Sequence, residues 1–312
     1  MTRDLTDVAD PVVGGSDPLT GHVADDRTRH TVDPTVGQMV TVWFDGDLVP
    51  PARPVLTALD HGLVVGDGVF EATKIVDGSP FALSRHLARL VRSAAALGLP
   101  PPDEEIVRSA VAAVTETSAL PFGKLRITWT AGRGPLGSDR EPDAEPTLVV
   151  AAAPAPLPQP EAAVLAVPWT RNPDDPLAGV KSTSYAGNVR ALAAARAGGA
   201  SEALFATTSG QLCEGTGSNV FVELDGELVT PPLSSGCLAG VTRDLVLAWT
   251  NAVEAEIPMT AVQHVSEAFL TSSMRDLQPV RRWDARDLGP AGPLTLAAMA
   301  AWREHTSGQL DP

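Results

Sequence analysis

Apolar positions along this chain follow two periods. Between Lys124 and Thr130 they alternate, with Leu125, Ile127 and Trp129 against Lys124, Arg126 and Thr128, which predicts a half-buried strand. From Ser84, a suitable N-cap, to about Leu97 the spacing is helical, and Leu87, Leu90, Val91, Ala94 and Leu97 form one stripe. A second helix is predicted over 103–118, with Ile106, Ala110, Val111 and Val114 inward. Strands are predicted at 39–44, 69–76, 147–153, 162–167, 202–207 and 218–224, punctuated by Asp-Gly turns at 45–46, 77–78 and 225–226. Further helices are expected at 186–197, from Arg243 to about Val253, and at 293–305.

Strands and helices alternate in both halves, so the expected class is α+β / α/β with two domains. The proline-rich stretch from Pro154 to Glu161 marks a linker, placed at 156–168, between a small α+β domain of 38–155 and a larger one of 169–312. Residues 1–37 are rich in Asp, Thr, Gly and Pro and are expected to be a flexible extension. His22 and His30 within it lack the acidic or Cys partners of a metal site, and no metal is expected.

With 312 residues, 44% apolar and 20% charged, the chain can bury an ordinary core. Its net charge of −15 argues against nucleic acid or an anionic membrane as partner, because phosphate contacts need clustered Lys and Arg. The opening MTRDLTDVAD is polar and acidic, no apolar run has membrane length, and Cys213 and Cys237 make no disulfide framework. A soluble protein of the reducing cytoplasm is expected.

The chemistry concentrates in 181–219. Of 23 basic residues only Lys74, Lys124 and Lys181 are lysines, so imine chemistry must fall on one of them, and Lys181 precedes a helical run. Glu214 follows about thirty residues later at a Gly-rich turn. A lysine and an acid are what pyridoxal phosphate requires: the amine takes the cofactor aldehyde, and the acid keeps the pyridine nitrogen protonated. On spacing alone, the pair reads first as a solvated lysine and a turn glutamate.

Lys181-Ser-Thr-Ser-Tyr185, Asn188, Glu202-Ala-Leu and above all Glu214-Gly-Thr-Gly-Ser-Asn-Val-Phe221 resemble the fold-type IV, or class IV, aminotransferases, over about 39–279. Gly66-Asp-Gly-Val-Phe70-Glu with Lys74 resembles the D-amino acid transaminase branch. The resemblance implies a two-layer α/β sandwich followed by a barrel-like α/β domain, with pyridoxal 5'-phosphate in the cleft. It implies Lys181 as the catalytic lysine, Glu214 on the ring nitrogen, Tyr185 near the ring hydroxyl and Leu238 on the ring face. Arg89, Gly240, Val241, Thr242, Ser272 and Ser273 are the implied anion-binding residues.

Transamination between a D-amino acid and a 2-oxo acid is the expected reaction, with R-primary amines as possible donors. Aminodeoxychorismate lyase is the alternative within the family, and a non-catalytic binding protein the alternative outside it. The substrate-binding positions depart from the D-amino acid pattern: Leu136 and Ser138 stand where an Arg-x-His pair is usual, and Phe70 replaces a tyrosine. Arg133, flanked by Gly132 and Gly134, is the expected replacement for carboxylate binding, with Arg140 as second choice. A homodimer is also implied, with the loop 131–140 completing the neighbour's site.

Overall fold

A computed structural model describes residues 39–53 and 55–312; the extension expected at 1–37, with His22 and His30, lies outside the described residues. The first sheet contains β1 (Thr41–Phe44), β2 (Asp47–Val49), β3 (Gly68–Val76), β4 (Ser79–Pro80), β5 (Phe122–Thr130) and β6 (Thr147–Pro154). Its order is β2-β1-β6-β5-β3-β4, and every neighbouring pair is antiparallel. A short helix, α1 (His61–Val64), precedes β3, while α2 (Leu83–Ala96) and α3 (Glu104–Ser118) join β4 to β5.

The predicted stripes explain the packing except at Ile106, which is exposed while Val107 turns inward. Leu87, Leu90 and Ala94 of α2, with Val107, Ala110, Val111 and Val114 of α3, bury against Ile75, Leu125, Ile127, Val150 and Ala152. Each large side chain so buried contributes about 1.5–3 kcal/mol relative to exposure. One face of the sheet is thereby covered. The alternate residues of β3 and β5, among them Phe70, Ala72, Lys124 and Arg126, are left on the face that borders a cavity.

The chain passes to the second sheet between Pro154 and Ala162. That sheet contains β7 (Ala162–Arg171), β8 (Glu202–Thr207), β9 (Leu212–Gly215), β10 (Asn219–Leu224), β11 (Glu227–Thr230), β12 (Val253–Glu254), β13 (Ala268–Ser272), β14 (Asp276–Trp283) and β15 (Arg286–Asp287). Its order is β12-β11-β10-β13-β14-β7-β8-β9, with β15 on β14; β14/β7, β7/β8 and β11/β12 are the parallel pairs. The helix α4 (Ala186–Ala197) approaches it closely because Ala191 and Ala195 are small, and packs with Val167, Ala203 and Phe205. A second layer is formed by α5 (Val241–Trp249) and α6 (Pro293–Thr306), whose Leu245, Ala298 and Trp302 pack with the stacked pair Phe221 and Phe269. The mixed α/β class with two curled sheets is the expected one.

Two local readings change. Ser84 does not cap α2; Ala82, left-handed at φ 52°, occupies that position, and the Asp311 carboxylate accepts from the Ser84 N–H at 2.9 Å and its hydroxyl at 2.6 Å. The cap comes from a distant part of the chain. The helix after Gly240 ends at Trp249 rather than near Val253, because Val253 and Glu254 pair with β11 instead.

Candidate active site

The face of β3 and β5 opposite the helices, with the ends of β7, β9 and β13 and the start of β10, encloses a cavity of about 710 Å³. Phe70, Arg89, Lys181, Tyr185, Glu214, Leu238, Gly240, Val241, Thr242, Ser272 and Ser273 all line it. These residues span more than two hundred positions of sequence.

Lys181 is placed by the backbone. Its carbonyl accepts from the Phe70 N–H at 2.9 Å, Ser182 bridges to Val69, and the Thr183 N–H donates to the Gly68 carbonyl at 2.8 Å. The Lys181 Nζ consequently lies 4.4 Å from the Phe70 ring centroid. Burial and the nearby Arg89 charge lower this amine from its ordinary value to about 8, which favours the neutral, nucleophilic form.

Glu214 lies within β9 rather than at the mouth of a turn. Its Oε2 accepts from the Leu238 N–H at 2.9 Å, and its Oε1 lies 3.7 Å from Arg171 Nη2. Burial raises the carboxyl above its usual range, opposed by that N–H and by the Arg171 and Lys181 charges. A protonated ring nitrogen would be a further partner of the right sign. Arg171 stacks on Phe205 at 4.2 Å and donates to Asn188 Oδ1 at 2.8 Å. Asn188 and Tyr185 both donate to the Thr216 carbonyl, at 2.7 and 2.8 Å, and the buried Glu202 carboxylate accepts from the Thr216 N–H and hydroxyl beneath it. The Gly-Thr-Gly turn after Glu214 is therefore held from two sides.

The opposite end is built for an anion. Gly240 caps α5 without a side-chain bond, and a Cβ there would overlap the Asn219 amide oxygen. The N–H groups opening α5 are thereby left beside the cavity, where helix polarity favours negative charge. The hydroxyls of Thr242 and Thr271 are buried and have no partner among the described residues. Arg89 is fixed by Glu71, whose Oε1 and Oε2 accept from its Nε and Nη2 at 2.8 and 2.6 Å, and its Nη1 donates to the Ala239 carbonyl at 3.0 Å. Two orphaned hydroxyls, a helix start and a guanidinium at one end, with an amine and a carboxylate at the other, fit a phosphate-bearing aldehyde with a basic ring.

Two cavity-lining arginines escaped sequence reasoning. Arg126 lines the cavity, with its guanidinium carbon 3.9 Å from the Phe70 ring centroid. The alternation in β5 showed that Arg126 and Lys124 share a face, but alternation does not say whether that face meets solvent or a cleft. Arg275 also lines the cavity, and its Nη1 lies 2.7 Å from Glu202 Oε2.

Within its own chain, the loop expected to bind substrate does not reach this cavity. Arg133, Leu136 and Ser138 do not line this cavity; Arg133 is exposed beside the backbone of Asp60, and Leu136 is 75% exposed. Arg140 is engaged by Asp67 at 2.6 and 2.7 Å and by the Leu97 and Gly98 carbonyls. The loop runs back toward α1 instead, where His61 Nε2 meets the Pro135 carbonyl at 2.9 Å.

Comparison with known proteins bears on the same region. Residues 68–283 match the family described as amino-transferase class IV. A bifunctional aminodeoxychorismate lyase / D-amino acid transaminase of Mycobacterium tuberculosis is 31% identical over 282 residues, covering 80% of this chain and 93% of that protein. A branched-chain-amino-acid aminotransferase of Pseudomonas aeruginosa is 30% identical over 291 residues, covering 86% and 94%. Among solved structures, the PLP-bound form of a hypothetical aminotransferase from Mycobacterium tuberculosis superposes with a TM-score of 0.76 at 28% identity, covering 86% of this chain and all (100%) of that one.

Proposed function

Since the chain belongs to the class IV aminotransferases and uses pyridoxal phosphate, we propose that it moves the amino group of a D-amino acid to a 2-oxo acid, and that R-primary amines serve as further donors. The observation that carries the substrate class is Arg126, a guanidinium at the cavity wall beside Phe70 and Lys181. A substrate carboxylate facing an apolar Phe70 needs such a partner, and a bidentate arginine contact supplies it. The D-configuration rests on the Gly66–Glu71 motif and on the name of the Mycobacterium relative.

The bound cofactor supplies an electron-withdrawing ring and an aldehyde. With the cofactor bound, Lys181 Nζ would hold its aldehyde and would move a proton at the substrate α-carbon, a role for which an amine titrating at about 8 is suited. Glu214, kept in place by the Leu238 N–H and the Arg171 charge, would accept the ring N–H. Of the residues lining the cavity, Tyr185 would border the ring edge, Leu238 its face, and Arg89, Val241, Thr242, Ser272 and Ser273 the phosphate. Fixing the ring at both ends holds it in reacting orientation.

A second copy of the chain is the proposed partner. Leu63 and Leu136, 65% and 75% exposed, lie on segments joined by the His61–Pro135 contact, and an apolar patch of this kind is suited to a self-complementary interface.

The specificity test is a panel of D-alanine, L-leucine, R-phenylethylamine and aminodeoxychorismate, each assayed with a 2-oxo acid acceptor. The highest kcat/KM is expected for D-alanine. A preference for L-leucine would place the chain with the branched-chain enzymes. Pyruvate release from aminodeoxychorismate as the dominant reaction would support the lyase, the second activity in the Mycobacterium relative's name.

A further inference from the structure

A chain of three hydrogen bonds runs from the first half of the molecule to the anion end of the cavity. Arg89 donates to Glu71, Glu71 Oε2 lies 2.6 Å from His86 Nδ1, and His86 Nε2 lies 2.8 Å from the Ser273 hydroxyl. Protonation states along it follow from the groups. Burial alone would raise Glu71, but the Arg89 charge and the bonds from Arg89 and His86 hold it at about 2, so it is an ionised acceptor. His86 Nδ1 must then carry a hydrogen. Burial also lowers His86 below its ordinary value, leaving the imidazole neutral with Nε2 as an acceptor.

The consequence falls on Ser273. Its O–H donates to His86 Nε2, so the serine shows the cavity lone pairs rather than a donor. An anion requires the opposite. If the hydroxyl turns to the anion, Nε2 is stranded without a donor on a ring that is fully buried (0% exposed). A buried nitrogen left unpaired keeps its desolvation penalty uncompensated, so that turn is disfavoured. Adding a proton to Nε2 removes the conflict, since Nε2–H donates to the serine oxygen and frees the serine hydrogen for the anion.

We propose that capture of an anion at Ser273 is coupled to uptake of one proton by His86, making His86 the residue that sets the direction of the serine hydroxyl. The charges facing the imidazole come from β3 (Glu71), from its own helix (Arg89, whose Nη2 is 3.4 Å from Nδ1) and from the segment before α4 (Lys181). Glu71 favours the imidazolium, and Arg89 and Lys181 oppose it. The arriving anion shifts this balance toward the charged ring. The same chemistry serves a cofactor phosphate or a substrate carboxylate.

Sulfate is the probe, because it stays a dianion throughout the working range and any proton taken up belongs to the protein. Cofactor-free protein is titrated calorimetrically from about pH 5.5 to about pH 7.5, below the Lys181 titration near 8, in buffers of different ionisation heat. The expected result is uptake approaching one proton per sulfate at the upper end, with affinity falling up to about tenfold per pH unit there. The His86 ring nitrogens should move from the neutral to the imidazolium pattern in 15N NMR. Ser273→Ala should bind sulfate more weakly and without His86-linked uptake; His86→Gln, if it folds, should bind with a flat pH profile. No proton uptake by the wild type, or equal uptake by Ser273→Ala, overturns the proposal. Repeating the titration with pyridoxal phosphate bound separates the sources. Lost uptake assigns Ser273 to the cofactor phosphate, and retained uptake assigns it to a substrate carboxylate, the coupling holding in both cases.

Discussion

Phe70 holds Lys181 twice, by donating its N–H to the lysine carbonyl at 2.9 Å and by placing its ring 4.4 Å from Nζ. The lysine is thereby fixed on a buried wall, where desolvation and the Arg89 charge lower its amine to about 8. At pH 7 about a tenth of such amines are neutral, against about three in ten thousand for an ordinary lysine. The sign is that of a depressed cation: the proton leaves as pH rises through about 8, not through 10.5. The rate at which cofactor-free protein captures pyridoxal phosphate should rise to a plateau near pH 8 to 9, followed by absorbance. A rate still climbing tenfold per unit above about pH 9.5 would show an unperturbed lysine.

Arg126 shares the Phe70 ring and is the cavity's carboxylate partner in this account. A charge-assisted contact is worth roughly 1.5–3 kcal/mol, so Arg126→Ala should lower kcat/KM for D-amino acids and 2-oxo acids about ten- to a hundredfold. The half-reaction with R-phenylethylamine, which has no carboxylate, should change much less in stopped flow. Arg133→Ala should cost less than Arg126→Ala for the carboxylate substrates, because Arg133 lies outside the cavity of its own chain. A larger loss with Arg133→Ala than with Arg126→Ala would return the role to the loop.

Lys74 joins the two halves of the molecule. Its Nζ bonds both carboxylate oxygens of Asp276, at 2.5 and 2.6 Å, and lies 4.7 Å from the Phe81 ring centroid. Asp276 follows the turn that carries Ser272 and Ser273 and is left-handed at φ 54°. Asparagine tolerates that backbone, so Asp276→Asn removes the charge without new strain. It leaves a buried ammonium with an aromatic face and a neutral amide. The expected loss is about 1–3 kcal/mol, discounted because the Asp276 side chain is 33% exposed, and visible as a Tm lower by several degrees. An unchanged Tm would show that the pair adds nothing to holding the halves together.

How much of this was legible in the sequence follows from the range of each interaction. Lys181 and Glu214 stood out because lysine is scarce and the residues around both form family motifs. The stripes of α2 and α3 gave the first core, since helical period is a local property. His86 and Arg89 could be paired at i, i+3, but their common partner Glu71 lies on another element. The Ser84 cap was misread because Asp311, 227 residues away, supplies the carboxylate. The strand β14 was hidden by Pro279 and the charged pair Arg281-Arg282 within it, and only pairing with β13 and β7 defines it. Arg126 was visible as a polar strand position, but not as one whose face borders a cavity.

The central claim is that Lys181 is the residue that engages pyridoxal phosphate. Reducing the cofactor-loaded protein with borohydride and mapping its peptides by mass tests this directly, since only three lysines exist. The account predicts one phosphopyridoxyl group per chain, on Lys181, with no label there in Lys181→Ala although the cofactor still binds weakly. A label on Lys74 or Lys124, or no label on a fully loaded wild-type chain, would contradict it.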